Sequence, residues 1–333
     1  MHTVSKKAVL AALARLTALT ALAGFAGSAS AQAWPSKPVR IVVPFGAGGA
    51  TDTFIRTLAR DLQPALGQPV LVENRPGGNF IIAAEAVIKA DADGHTLMAA
   101  TSGHAVTEAI GTNHSRYRLL RDLAPVSTVN YIELILVAHP SLPVKSVRDL
   151  VKLARAKPGA INYATTGTGG INHLAMELLQ SSTGTQMTHV PYKVGSAGRL
   201  DLFGGRIELM MDTLTDGAPN VVAGKVRALG TSGGKRSIAL PDVPTIAESS
   251  GLAGFEVPVL IGVLAPAATP PAAIERLNRE IGTIVRRPEI REAWGRMGAT
   301  ALASTPAEYR AMIDAEIDRW SRLIRDAKLK LDP

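Results

Sequence analysis

The chain has 333 residues, 36 Lys and Arg against 28 Asp and Glu, a formal charge of +8 and no cysteine. The lack of cysteine excludes a disulfide framework, thiolate metal sites, a lipid-modified cysteine anchor and cysteine catalysis. Lys and Arg are dispersed and there are only five Tyr and six Phe, so nothing builds the basic aromatic platform that nucleic acid requires.

Lys6, Lys7 and Arg15 precede an apolar run from Leu16 to Phe25, and Ala29, Ala31 and Ala33 follow with the spacing a leader peptidase needs. Residues 1–33 therefore read as a secretory signal, cut after Ala33 or Ala31, and its loss lowers the charge to about +5. The run is roughly ten residues where a spanning helix needs about 20, and no other stretch is long and apolar enough to cross a bilayer. The expected product is a soluble protein of the bacterial periplasm with no membrane insertion. Its roughly 300 residues exceed what one hydrophobic core usually organises, so two lobes are expected.

From Val39 the chain alternates β-branched runs with amphipathic stretches. Val39 to Val43 reads as a strand, and Asp52 to Leu66 as a helix burying Ile55, Leu58, Leu62 and Leu66. A strand at Val70 to Val72, a helix at Phe80 to Ala90 and a strand at His95 to Ala100 complete consecutive β-α-β units, which imply a largely parallel sheet covered on both faces. After a strand at Leu134 to Ala138, Ser146 and Asp149 open a helix to Ala156 with capping-box spacing. A strand at Ile161 to Ala164, a helix at Ile171 to Ser182, and strands near Met187 to Val190, Ile207 to Met211 and Val226 to Gly230 follow. Two sheets are expected rather than one very long one. Phe255 to Leu264 is a further extended run, and helices at Ala272 to Arg286 and Pro288 to Met297 come next. The last helix starts at Thr305 with Pro306 and Glu308 in its first turn, its buried stripe being Tyr309, Met312, Ile313, Ile317, Trp320 and Ile324.

Two strand-to-helix junctions stand out. Pro44-Phe45-Gly46-Ala47-Gly48-Gly49-Ala50-Thr51-Asp52 lies at the carboxyl end of the first strand, where open α/β sheets bind ligands. Glycines let backbone approach a ligand, and a helix start offers unpaired N–H donors with partial positive charge, so an anionic oxygen is the natural guest. A tight turn needing positive φ is the alternative reading. Thr165-Thr166-Gly167-Thr168-Gly169-Gly170-Ile171-Asn172-His173 repeats the pattern in the other half of the chain. Two lobes that each offer such a helix start can clamp a small anion, and neither loop carries Lys or Arg. Recognition then rests on backbone amides, threonine hydroxyls and bridging water. A dinucleotide fingerprint fails because Thr51 stands where its third Gly belongs, and no Gly-Lys-Ser/Thr follows for a phosphate loop.

Glu73-Asn74-Arg75-Pro76-Gly77-Gly78-Asn79 and Thr101-Ser102-Gly103-His104 also end predicted strands. Asn79 and Thr101 to His104 are placed on a cleft floor, while Arg75 reads equally as a ligand partner, a solvated loop residue or a contact for another protein. Catalytic constellations are scarce. The histidines show no His-Glu-x-x-His pattern, His173 and Glu177 one turn apart fit packing and capping or an acid/base pair, and Ser196 lacks the Gly two places earlier that a nucleophile elbow needs.

The sequence resembles the substrate receptors of tripartite tricarboxylate transporters, the Bug receptors. The resemblance is carried by Pro44 to Asp52, Glu73-Asn74-Arg75-Pro76-Gly77, Asp93-Gly94-His95-Thr96-Leu97, Gly167-Thr168-Gly169 with His173-Leu174, His189-Val190-Pro191-Tyr192-Lys193 and Leu240-Pro241-Asp242-Val243-Pro244-Thr245. It implies a type II periplasmic-binding-protein fold, two α/β lobes joined by two crossing strands, with a ligand carboxylate held by both glycine loops partly through ordered water. It further implies delivery to a membrane transporter, with service to a sensor receptor as the alternative. The chain departs from the family pattern at Val194, inserted before Gly195, at Val259, Leu260 and Ile261, where an aromatic residue is common, and at Gly78-Asn79, where Ala-Gly-Gly is commoner.

The resulting expectation is a monomeric receptor, with no enzymatic activity, metal or cofactor, that closes on a small carboxylate: a di- or tricarboxylate, an amino acid or an aromatic acid. Lobe 1 is placed at 34–135 plus 256–333 and lobe 2 at 136–255. The expected ligand contacts are Phe45, Gly46, Ala47, Gly48, Gly49, Thr51, Asp52, Asn79, Thr101, Ser102 and His104 from the first lobe. The second contributes Thr166, Gly167, Thr168, Gly169, Gly170, Asn172, His173 and Tyr192, with Asp212 and Thr213 reading the far end of the ligand. A secreted α/β enzyme is the rival from another class.

Overall fold

The computed structural model describes residues 34–112 and 116–326, so the leader expected at 1–33 lies outside the described residues. Val39–Val43 form β1, whose β-branched side chains are buried on both faces apart from Arg40. β1 pairs in parallel with β2 (Val70–Asn74) and β3 (Thr96–Thr101). Between β1 and β2 the helix Ala50–Leu66 buries Ile55, Leu58, Leu62 and Leu66 along one stripe, each stabilising the lobe by about 1.5–3 kcal/mol. Gly67, left-handed at φ 70°, ends it by donating its N–H to Gln63 O.

β4 (Leu123–Ala138) is the longest strand at 16 residues and runs through both lobes. Its first part, from Leu123 to Glu133, pairs antiparallel with β9 (Pro258–Pro266), and Asn130 to Ile132 pair with the short β10 (Ala299–Ala301). From Leu134 onward its partners are β7 (Leu209–Thr213) and β8 (Arg227–Thr231). β7 then pairs in parallel with β5 (Asn162–Thr165), and β5 with β6 (Thr188–Pro191). The order is β2-β1-β3-β9-β4-β7-β5-β6. The sequence suggests two separate sheets, but β4 belongs to both, so the hydrogen-bonded path is continuous among the described residues. The apolar cores remain separate. One gathers Val42, Met98, Leu123, Leu264 and Tyr309, and the other Ile135, Ala164, Met210 and Leu214.

The change of partner at Glu133/Leu134 is fastened by Ser232, which is fully buried. Its N–H and hydroxyl oxygen bond Leu134 O and Leu134 N, its hydroxyl donates to Val257 O at 2.7 Å, and its carbonyl accepts from Val257 N. One serine thus ties the outgoing and returning crossings together. Beside it, the buried Glu133 carboxylate packs over Gly233, where even a Cβ would fall 2.6 Å from Glu133 Cδ. Its Oε2 has no hydrogen-bond partner among the described residues. Burial pushes the Glu133 carboxyl up to about 7, with Glu256 adding to the rise and Thr231 and Lys235 opposing it.

Candidate functional site

In each lobe a glycine loop leads from the carboxyl end of a strand into a helix that has glycine at its N-cap. Gly49 (φ −78°, ψ 169°) precedes Ala50–Leu66 and Gly170 (φ −74°, ψ 162°) precedes Ile171–Thr183, and neither cap supplies a side-chain acceptor. The first-turn N–H groups are therefore left for an external oxygen. One residue earlier, Gly48 and Gly169 are both left-handed, at φ +82° and +73°. Each then donates its N–H to the side chain four residues on, Gly48 to Asp52 Oδ2 at 2.9 Å and Gly169 to His173 Nδ1 at 3.1 Å. The two loops are one device built twice, turned by a glycine and latched by the third residue of the helix.

The latches differ. Asp52 Oδ2 also accepts from Arg56 Nε at 2.9 Å, and Oδ1 accepts from Asn74 Nδ2 at 2.8 Å, which in turn reaches Phe45 O at 3.0 Å. Burial alone would raise the Asp52 carboxyl, but Arg56, the Gly48 amide and Asn74 outweigh it and hold it below the ordinary carboxylate range. In the second lobe Nδ1 of His173 accepts, so the ring proton belongs on Nε2, 3.6 Å from Glu177 Oε1. Tyr163 and Gln180 both donate to that carboxylate at 2.8 Å. The His173 ring stacks on His189 at 3.9 Å, and His189 stacks on Tyr163 at 5.1 Å. Burial pulls both imidazoles down to about 4, so they are neutral near pH 7. The sequence patterns do not single out His189 as a site residue, because its contacts come from two other elements.

The remaining expected residues fall around these loops. Gly46, Ala47 and Thr166 are exposed, and Phe45, Gly167, Thr168 and Gly170 are half-buried. No hydrogen bond among the described residues engages the Thr166 or Thr168 hydroxyls. Thr51 is buried, and Asn172 is held by its Nδ2 donating to Met211 O at 2.8 Å. Asn79 lies on the short turn Gly78–Phe80, its side chain outside the described part.

Thr101 caps the helix Ser102–Ile110 in a reciprocal box with His104. Thr101 Oγ1 accepts from Gly103 N at 3.2 Å, while His104 Nδ1 accepts from Thr101 N at 3.0 Å. Ser102 Oγ accepts from Leu260 N at 2.9 Å. Thr101, Ser102 and His104 line a cavity of about 10 Å³, room for about one water, with Leu260, Tyr309 and Glu316. Phe80, which the sequence patterns also do not mark, stacks on His104 at 4.6 Å and meets Phe45 edge-on at 5.4 Å.

At the far end, the Tyr192 hydroxyl donates to Asp201 at 2.7 Å, and Thr213 Oγ1 accepts from Asp216 N at 3.3 Å. Asp212 is buried and takes Arg199 Nε at 2.6 Å and Nη2 at 3.0 Å, with Asp216 closing on Nη2 as well. Burial raises the Asp212 carboxyl while Arg199 opposes the rise. The lobes meet beside the second loop, where a Cβ on Gly169 would lie 2.9 Å from Ile110 Cδ1 of the first-lobe helix.

Comparison with known proteins bears on this arrangement. The family model described as "Tripartite tricarboxylate transporter family receptor" matches residues 54–329. The chain belongs to that receptor family. The receptor is 36% identical to Protein BugT of Bordetella pertussis over 303 residues, covering 91% of this chain and 93% of that one. It superposes on the periplasmic binding protein BugD with a TM-score of 0.81 at 29% identity, covering 89% of this chain and 99% of that one. A protein of R. palustris solved with adipate gives a TM-score of 0.80 at 33% identity, covering 89% and 98%. The receptor accordingly has the two-lobed periplasmic-binding-protein fold and is a solute-binding receptor. Among the described residues no helix is long and apolar enough to cross a membrane, and no group of His, Asp and Glu is arranged to hold a metal.

Proposed function

We propose that this receptor captures a small carboxylate in the periplasm by closing two lobes on it, and hands it unaltered to the membrane subunits of a tripartite tricarboxylate-type transporter. The observation that carries the reading is the matched pair of uncapped helix starts, each behind a left-handed glycine latched to its own helix. Each contributes roughly half a positive charge and several aligned N–H donors, which suits a carboxylate without a salt bridge. On this reading the loop amides and the Thr166 and Thr168 hydroxyls meet the ligand. Asp52 and His173, which bond the loop glycines, and Asn172, which ties the second helix start to Met211, hold these donors in place, whereas Tyr192 and Asp212 are engaged away from the loops by Asp201 and Arg199. The adipate in the R. palustris relative supports a carboxylate ligand, and the family description supports the transporter.

The lobes are proposed to be 34–135 plus 256–333 and 136–255, hinging where β4 and the return segment cross beside Ser232. Ligand shifts an open–closed balance through its higher affinity for the closed form. Thermal unfolding of ligand-stripped protein with adipate and with its diamide tests this. A ligand at one hundred times its Kd stabilises the folded state by about 2.7 kcal/mol. A shift with the acid and none with the diamide is expected, and no shift across a broad panel of carboxylates would sink the reading.

A further inference from the structure

Beside the second glycine loop stands a cation that belongs to neither loop. Arg199 lies on the helix Gly195–Phe203, which follows β6. β5, β6 and β7 are joined in parallel, so this helix rises from the same edge of the sheet as the Thr166 loop and Asp212. A Cβ at Gly195 would lie 3.3 Å from Thr166 Cγ2 and 3.4 Å from Arg199 Nη2, so one glycine separates the guanidinium from the exposed threonine of the loop.

Two of the three guanidinium nitrogens are committed, Nε to Asp212 and Nη2 to Asp212 and Asp216. Nη1 has no hydrogen-bond partner among the described residues, and the side chain keeps 20% of its surface in solvent. Asp212, in contrast, is only 3% exposed at its side chain, and its Oδ1 also accepts from Thr213 N. The aspartate is thus the buried support and the arginine the group with donors to spare.

Resting on the carboxylate reading above, we propose that Arg199 is a specificity-determining residue. Its Nη1 edge receives a second carboxylate of the ligand and makes the receptor selective for dicarboxylates over monocarboxylates of equal length. The two aspartates fix the guanidinium before the ligand arrives, so little side-chain entropy is lost on binding. Charge-assisted N–H donors are worth about twice neutral ones, which suits a contact meant to discriminate.

Isothermal titration of the ligand-stripped protein with adipate against hexanoate, and with succinate against butyrate and 4-aminobutyrate, tests the proposal. In at least one series the diacid is expected to bind about tenfold or more tightly than its monoacid, the effect of a charge-assisted bond made or lost. Arg199→Gln alone would strand two aspartates, so the second arm is the Arg199→Gln, Asp212→Asn double variant, which removes one charge of each sign. Its expected behaviour is loss of diacid affinity to near that of the monoacid, with monoacid affinity within about threefold of the original. Equal binding of diacid and monoacid, equal weakening of both in the variant, or preference for 4-aminobutyrate overturns the assignment of Arg199 while leaving carboxylate capture standing. Binding of no carboxylate at all overturns both.

Discussion

The two glycine loops share a backbone and differ in what secures it. The first is latched by a buried carboxylate in a web of donors from Arg56, Asn74 and Gly48. The second is latched by a neutral imidazole in a stack with His189 and Tyr163. The same amide geometry can thus be held by a charge or by an aromatic pile, and the two respond to acid differently. A buried carboxylate near the anion site adds negative charge, which Arg56 offsets. The imidazole adds none, at the cost of a dependence on remaining unprotonated.

Acid should separate the loops most strongly. Where burial lowers an imidazole from 6.5 to about 4, the unfolded chain binds more protons than the folded one between those values. The stability conferred is full above about 6.5 and is lost as pH falls toward 4, up to about 3 kcal/mol per imidazole. Asp52, held below its ordinary value, loses its contribution only at lower pH. Unfolding midpoints from pH 7 to 4 should therefore fall, and the slope should flatten in His173→Gln. An unchanged slope would mean the stack is not the acid-sensitive latch.

Next in size is a methyl group placed on each turning glycine. Gly48→Ala meets nothing within 4 Å and suffers only the left-handed backbone, about 1–2 kcal/mol, or roughly tenfold in ligand affinity. Gly169→Ala also makes the Ile110 Cδ1 methyl, at the far end of its side chain, move aside, adding about 1 kcal/mol, or several-fold more in affinity. Titration calorimetry giving equal losses would show that the lobes do not touch at Ile110 when ligand is bound.

Glu133 provides a control of opposite sign. Its folded value near 7 lies above the unfolded one, so its favourable contribution holds below about pH 4.5 and is lost as pH rises through 7. Glu133→Gln should stabilise the fold at pH 8 by no more than about 2 kcal/mol, read as a raised melting temperature, and have little effect at pH 5. The smallest effect belongs to Tyr192→Phe, which removes the bond to Asp201 and should cost about 1 kcal/mol of stability with under about threefold in affinity.

The loops were legible because their chemistry is local: a β-branched run, clustered glycines and an amphipathic helix fall within some twenty residues of one another. The first half of β4 was not. Pro125, Ser127, Thr128 and Asn130 interrupt its alternation, and its register shifts twice against β9. Ser127 and Thr128 are buried because distant segments meet them, Ser127 Oγ donating to Ser304 O and Thr128 Oγ1 to Leu302 O. β10, three residues long, has no sequence signature apart from the strand it joins. Arg199 was missed for a similar reason, since its two aspartates approach from another strand and helix.

The position of β9 also governs when the molecule can fold. β3 and β4 both need it as a neighbour, and Tyr309 of the helix Pro306–Asp326 lies so close over Gly262 that a Cβ there would fall 2.4 Å from the ring. The first lobe is thus begun by the earliest strands and closed by the latest helix. A ribosome must release almost the whole chain before that lobe can form, and closing such a long loop is slow. Until then the first lobe stays without its closing contacts, however early its opening strands are available.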